Sequence, residues 1–187
     1  MKKVLAFCLC LIPLLGLSQN FKTLDSLTLI KFGCNRTKAV ETIKADHGVW
    51  DVQHSLPQYY VFTHLTFDKK STSSFAVKFT RGKAYEVDYV ITPDLDVNVF
   101  SYYCEIIQKI SQAYGPPKSG EQFKSPCKGG DIKELRAIKL GFAYYSSCWY
   151  AGSNSILLSI DPGLHIILAM QDNKLTNAAF ERQEASN

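Results

Sequence analysis

Long apolar runs are scarce in this chain. After residue 18 no stretch approaches the roughly 18–20 apolar residues that a membrane helix requires, which argues against a helical span in the bulk of the sequence. Histidine is also thin on the ground. His47, His54, His64 and His165 form no HxH, HxxxH or HExxH arrangement, so the closely spaced ligand pairs of zinc sites are missing. The cysteines form neither a CxxC pair nor a zinc knuckle, and Lys and Arg nowhere cluster. With a net charge of only +4, a nucleic-acid-binding role is excluded. No motif calls for a cofactor.

One apolar run does stand out, at the very start. Lys2 and Lys3 precede an apolar stretch from Val4 to Leu17, and Gly16 and Ser18 supply small residues at its end. This charged, apolar, small-residue order is that of a secretory signal, with cleavage expected after Ser18. Neither Cys8 nor Cys10 sits behind a small residue at the end of the run, so a lipoprotein anchor is not expected. Removal of Lys2 and Lys3 takes the charge from +4 to +2, because no acidic residue precedes Asp25. The remaining chain of roughly 170 residues suits one domain. The expected division is a signal over 1–18, a single domain over 19–175, and a short helix or frayed tail over 176–187. The location is then secreted or periplasmic.

Export changes the meaning of the cysteines. Four remain after cleavage, Cys34, Cys104, Cys127 and Cys148, and an even count in an exported chain suggests disulfides. Three pairings are possible. Proximity in sequence favours Cys127–Cys148, which closes a loop of about 20 residues and is worth on the order of 3 kcal/mol. Cys34–Cys104 is then the second bridge.

The body of the chain alternates between helical and strand patterns. Asn35 or Thr37 caps a short helix with Ala39, Val40 and Ile43 on its apolar side, stopped by Gly48. Strand patterns follow at Tyr59 to Phe67, at Phe75/Val77/Phe79, and at Tyr85/Val87/Tyr89/Ile91, with a tight link at Gly82-Lys83. Val99, Phe100, Tyr103, Ile106, Ile107, Ile110 and Tyr114 recur at helical spacing. Asp96 or Asn98 begins that second helix, and Gly115-Pro116-Pro117 ends it. After a polar loop, three more strands are expected at Arg136 to Tyr150, Ile156 to Asp161 and Leu164 to Gln171. The fold class is therefore α+β, with two helices packed on one face of a twisted antiparallel sheet of about six strands.

Phe32-Gly33, the first helix, Tyr114-Gly115-Pro116 and Trp149 together make a pattern that resembles small exported α+β domains common in Bacteroidetes genomes. The arrangement is also reminiscent of the BamE-like and β-lactamase-inhibitor-like folds. The resemblance spans roughly Leu29 to Leu175. It brings no catalytic residues, and it implies a scaffold or binding role.

Reactive readings have thin support. Cys148 with His165 and Asp161 or Asn173 supplies the residue types of a cysteine hydrolase without a surrounding motif. Glu86 and Asp88 fall on one face of a strand, and Asp94 and Asp96 precede a helix whose positive end they suit. Paired carboxylates of this kind also occur in glycosidases. On the strand around Cys148, Tyr145 and Trp149 share one face and Tyr144, Cys148 and Tyr150 the other. Tyr145 and Trp149 are thus a possible binding face, unless they meet the core. The function expected is an exported, non-enzymatic binding or scaffold domain of the bacterial cell envelope, its partner a protein or an envelope component. A small secreted hydrolase using Cys148 or the carboxylates is the alternative.

Overall fold

The computed structural model describes residues 27–123 and 134–185. The expected signal segment and Cys127 lie outside the described residues. Within them the chain forms a large antiparallel sheet of nine strands accompanied by four α-helices.

The first helix, α1 (Arg36–Ala45), begins at Asn35, whose side chain accepts a hydrogen bond from the Lys38 amide at 2.8 Å. This local bond is why asparagine starts helices well. Ala39 and Ile43 bury the inner side, and the helix stops against Gly48. A Cβ at Gly48 would lie 2.4 Å from Ile43 Cγ2, so only glycine allows the chain to double back so tightly.

Strands β1 (Val49–Leu56), β2 (Tyr59–Thr63), β3 (Thr66–Phe67), β4 (Lys70–Thr80) and β5 (Lys83–Ile91) follow. Arg81 and Gly82 both have positive φ, the combination that a two-residue hairpin turn needs to match strand twist. A 3-10 turn over Asp96–Asn98 leads into α2 (Val99–Tyr114). Then come β6 (Lys118–Phe123), α3 (Glu134–Lys139), β7 (Ala143–Ala151), β8 (Asn154–Ile160), β9 (Ile166–Asp172) and α4 (Asn173–Ala185).

The sheet order is β1-β2-β4-β5-β9-β8-β7-β6, with β3 paired to β4 off that path. Each half is thus a helix followed by an antiparallel meander, and the two meanders meet at their last strands, β5 and β9. Phe75, Val77, Val87, Tyr89, Leu168, Met170, Ile156, Leu158, Tyr145 and Trp149 point to one side and form the core with Ala39 and Ile43 of α1, Ile106 and Ile110 of α2, and Ala137 and Ile138 of α3.

The α+β class agrees with expectation; the detail of two helices and six strands does not. The two outermost strands, β1 and β6, carry too little apolar alternation to declare themselves. Residues 136–139, the start of the strand expected from Arg136 to Tyr150, belong instead to a short helix, Glu134–Lys139, that buries Ala137 and Ile138. The last helix starts at Asn173, before the expected tail boundary, and packs on β4, β5 and β9. No helix of the described residues is long and apolar enough to cross a membrane.

Strand β1 is interrupted. Asp51 pairs with Val61 and Leu56 with Tyr59, so β1 spends three residues more than its partner. The Asp51 carboxylate accepts from the amides of Gln53 at 3.1 Å and His54 at 3.2 Å, and Ser55 Oγ bonds both the Asp51 carbonyl and the Val61 amide. His54 holds the Asp51 carboxyl below its ordinary range through a 2.7 Å contact. A bulge of this kind blunts the outer edge of a sheet.

Candidate functional site: a polar cleft on the reverse face

The side chains that alternate with the core residues point to the opposite side of the sheet. Strand register places them in rows. Lys78, Glu86, Gln171, Ser155 and Tyr150 form one row across five adjacent strands. Ala76, Asp88, Ala169, Leu157 and Cys148 form the next. Asn173 and Asn177 of α4 border the same space, which totals about 500 Å³. That volume lies within the range of small-molecule sites.

Asp172 is what sets α4 there. Its carboxylate accepts from the amides of Lys174 at 2.9 Å and Leu175 at 3.0 Å, and its carbonyl accepts from the Thr176 hydroxyl at 2.8 Å. The helix therefore leaves β9 at a fixed angle, and Thr176 is buried beneath it. Asn173 faces the sheet, where its Oδ1 accepts from Ser155 Oγ at 2.9 Å and Gln171 Nε2 at 3.2 Å.

At the end of the first row lies a cluster of charges. Lys78 Nζ stands 2.6 Å from Glu86 Oε1 and 3.0 Å from Asp88 Oδ2. Burial works to lower the Lys78 ammonium, but Asp88 and Glu86 together overcome it and hold its pKa well above the ordinary lysine value. For Glu86, burial and then the Asp88 charge raise the carboxyl, against the pull of Lys78. The cluster carries one cation and two carboxylates. At the other end, the Tyr150 ring is 64% exposed, with Lys118 Nζ 5.3 Å from its centroid. The neighbouring Cys148 pushes the Tyr150 hydroxyl up through its hydrogen bond and charge.

The expected carboxylate pair, Glu86 and Asp88, does share a face, and Lys78 ties it down. Cys148 lies half-buried in the cleft beside Asn173. His165 is elsewhere. It bonds Asp161 in the β8–β9 hairpin, and Asp161 is four residues along from Leu157, the partner of Cys148, or about 13 Å at strand spacing. The cysteine-hydrolase geometry is therefore not assembled. Asp96 instead pairs with Lys139 at 2.6 Å. Among the described residues no group of three metal-ligating side chains occurs.

Tyr145 and Trp149 face the core. Trp149 is 2% exposed, and its Nε1–H donates to the Gly115 carbonyl at 3.0 Å. Tyr145 packs edge-on against Phe100, with centroids 5.2 Å apart. The aromatics that this strand offers to solvent are Tyr144 and Tyr150.

Cys34, Cys104 and Cys148 are free thiols in the structure. Cys34 sits two residues before α1, against the start of β5, where its carbonyl accepts from the Ala84 amide at 2.9 Å, and burial pushes its thiol up. Cys104 shares a cavity with Ser147. The row through Ser147 reaches β5 at Tyr89, three strands away and five residues from Ala84. Those offsets, about 14 Å by about 16 Å, separate the sheet positions nearest the two thiols. The expected Cys34–Cys104 bridge is not formed in the structure, where both thiols are free. The expected Cys127–Cys148 bridge involves a residue outside the described ones.

The chain matches no protein-family model, no curated protein and no solved structure. What the site can do must be argued from its own residues.

Gln171, Ser155 and Asn177 carried no signal in the sequence, and Asn173 entered only as a possible partner of Cys148. They come from three separate elements, and only strand register joins them. The single available hint was Asp172 before a run of helix formers, a helix-start pattern.

Proposed function

We propose that the protein is an exported, non-enzymatic binding domain of the bacterial cell envelope, and that the reverse-face cleft is its binding site. The observation that carries this reading is the state of the reactive groups. Lys78 occupies the space between Glu86 and Asp88, so neither carboxylate stands ready as a nucleophile or base. Cys148 has no imidazole within reach to activate it. The groups left to meet a ligand are amides, hydroxyls and an exposed ring, which bind without reacting. The signal-like start and the resemblance to small exported Bacteroidetes domains support the location, and the absence of catalytic residues in that resemblance agrees with the role.

The test uses Asn177→Trp, which fills the cleft from an exposed helix position and leaves the core untouched. Wild-type protein immobilised on resin should retain an envelope component that Asn177→Trp protein, with unchanged melting temperature, does not. Equal retention by both would remove the cleft from the function. Turnover of ester or glycoside substrates that is lost in Cys148→Ser or Glu86→Gln would restore the hydrolase.

A further inference from the structure

We propose that the ligand of the reverse-face cleft is a neutral saccharide, with Tyr150 as the stacking platform and Gln171, Asn173, Asn177 and Ser155 as the partners of its hydroxyls. This inference rests on the binding role proposed above. Four features of the cleft point to it.

The hydrogen bonds already made leave a particular remainder. Asn173 Oδ1 is spent on Ser155 and Gln171, whereas Asn173 Nδ2 and Gln171 Oε1 have no protein partner among the described residues. An amide donor beside an amide acceptor suits vicinal hydroxyls, each of which both gives and takes a hydrogen bond.

The ends of the cleft differ in character. Tyr150 presents a broad exposed ring, an amphipathic surface on which the C–H face of a sugar can lie. At the other end stands Glu86, three strands away, or about 14 Å. Ala169 and Leu157 give the floor between them an apolar patch.

Charge narrows the class. One lysine against two carboxylates leaves that end acidic, which disfavours phosphates, nucleotides and uronic acids there, and the cation at the other end, Lys118, lies against the Tyr150 ring. Topology narrows it further. An extended peptide is captured by pairing its backbone with a free strand edge, yet β5, β9 and β8 beneath the cleft are each paired on both sides. No backbone donors remain there for a peptide.

The experiment is an array of immobilised neutral and acidic oligosaccharides and short peptides, probed with wild type, Tyr150→Ala, Tyr150→Trp, Gln171→Ala and Asn177→Trp. Folding is checked for each by its melting curve. Wild type should bind neutral oligosaccharides and not their uronic-acid analogues. Tyr150→Ala and Gln171→Ala should each weaken binding about tenfold, the factor that about 1.4 kcal/mol represents. Tyr150→Trp should retain binding, and Asn177→Trp should abolish it. Peptide or acidic-glycan binding that Asn177→Trp abolishes would overturn the saccharide assignment while leaving the cleft as the binding site. Neutral-saccharide binding untouched by any of these variants would overturn the assignment to this cleft. If the array stays blank while the envelope component is still retained, the saccharide class falls alone; if both are blank, both proposals fall.

Discussion

Replacing Lys78 by methionine keeps most of the aliphatic stem and deletes the cation. What remains is a pair of carboxylates, with side chains only 15% and 17% exposed at Glu86 and Asp88, facing each other without a counter-ion. Breaking a fully buried pair in this way costs about 3–5 kcal/mol. Lys78 is 35% exposed, so solvent screens part of that, and the expected loss is about 2–3 kcal/mol at neutral pH. For a domain of this size each kcal/mol moves the melting temperature by roughly 2–4 °C, giving a drop of roughly 5–10 °C.

The pH dependence fixes the cause. Lys78 is raised above its ordinary value, so its contribution is in force throughout the neutral range and is lost only in strong alkali. The Glu86 carboxyl is raised, so its contribution is complete below its unfolded value near 4.5 and fades as pH rises through the folded value. Removing the cation raises it further. The deficit of Lys78→Met should therefore be largest at pH 7 and shrink on acidification toward pH 4.5, where Glu86 takes up its proton. Urea melts of both proteins at pH 4.5, 6 and 7.5 measure this. Adding Glu86→Gln and Asp88→Asn to the variant should recover most of the loss at pH 7. A deficit under about 1 kcal/mol, as for an exposed ion pair, or one that does not change with pH, would refute the reasoning.

Other substitutions test other parts of the molecule. Trp149→Ala should cost about 3–5 kcal/mol in chemical denaturation, since it empties a core position and strands the Gly115 carbonyl. Gly115→Ala should cost about 1–3 kcal/mol by thermal melting: φ is +78° and ψ −175°, a backbone region that essentially only glycine adopts. Gly48→Ala should destabilise as well, by forcing Ile43 off its seat, and Gly48→Ala combined with Ile43→Ala, which removes the clashing Cγ2 methyl, should lose less than the two changes summed. A thiol reagent applied to folded protein should label Cys148 more slowly after addition of a bound ligand, as mass spectrometry of its peptide reports. A Cys148 peptide found cross-linked to Cys127 would restore the bridge expected from the sequence.

Much of the fold was legible because burial leaves a period in the sequence. Phe75/Val77/Phe79 and Val87/Tyr89/Ile91 alternate, and α2 carries its stripe from Val99 to Tyr114. The edge strands were illegible for a physical reason. "KSGEQF" pairs on one side only, and "VWDVQHSL" is broken by the Asp51 bulge, so neither needs a regular apolar face. Around Trp149 the alternation divided the aromatics correctly into two sets. Which set is buried depended on Gly115 and Phe100, and these come from a different element. The cleft shows the same limit more sharply. A shift of one residue in register turns every side chain to the other face, so the grouping of Lys78 with Glu86, or of Gln171 with Ser155, could not be read from any one strand.

The pairing of β5 with β9 has a further consequence, for how the chain comes to be folded. Glu86 meets Gln171 and Ile91 meets Ile166, so the middle of the sheet is built from segments some 75 to 85 residues apart. Closing a loop that long is entropically costly and slow. The first meander, made alone, would leave β5 as a bare apolar edge waiting for its neighbour. A ribosome-bound chain therefore cannot close the sheet before β9 has emerged. Such a chain stays open through most of its synthesis. The strand that arrives last then completes both the core and the floor of the cleft in one step.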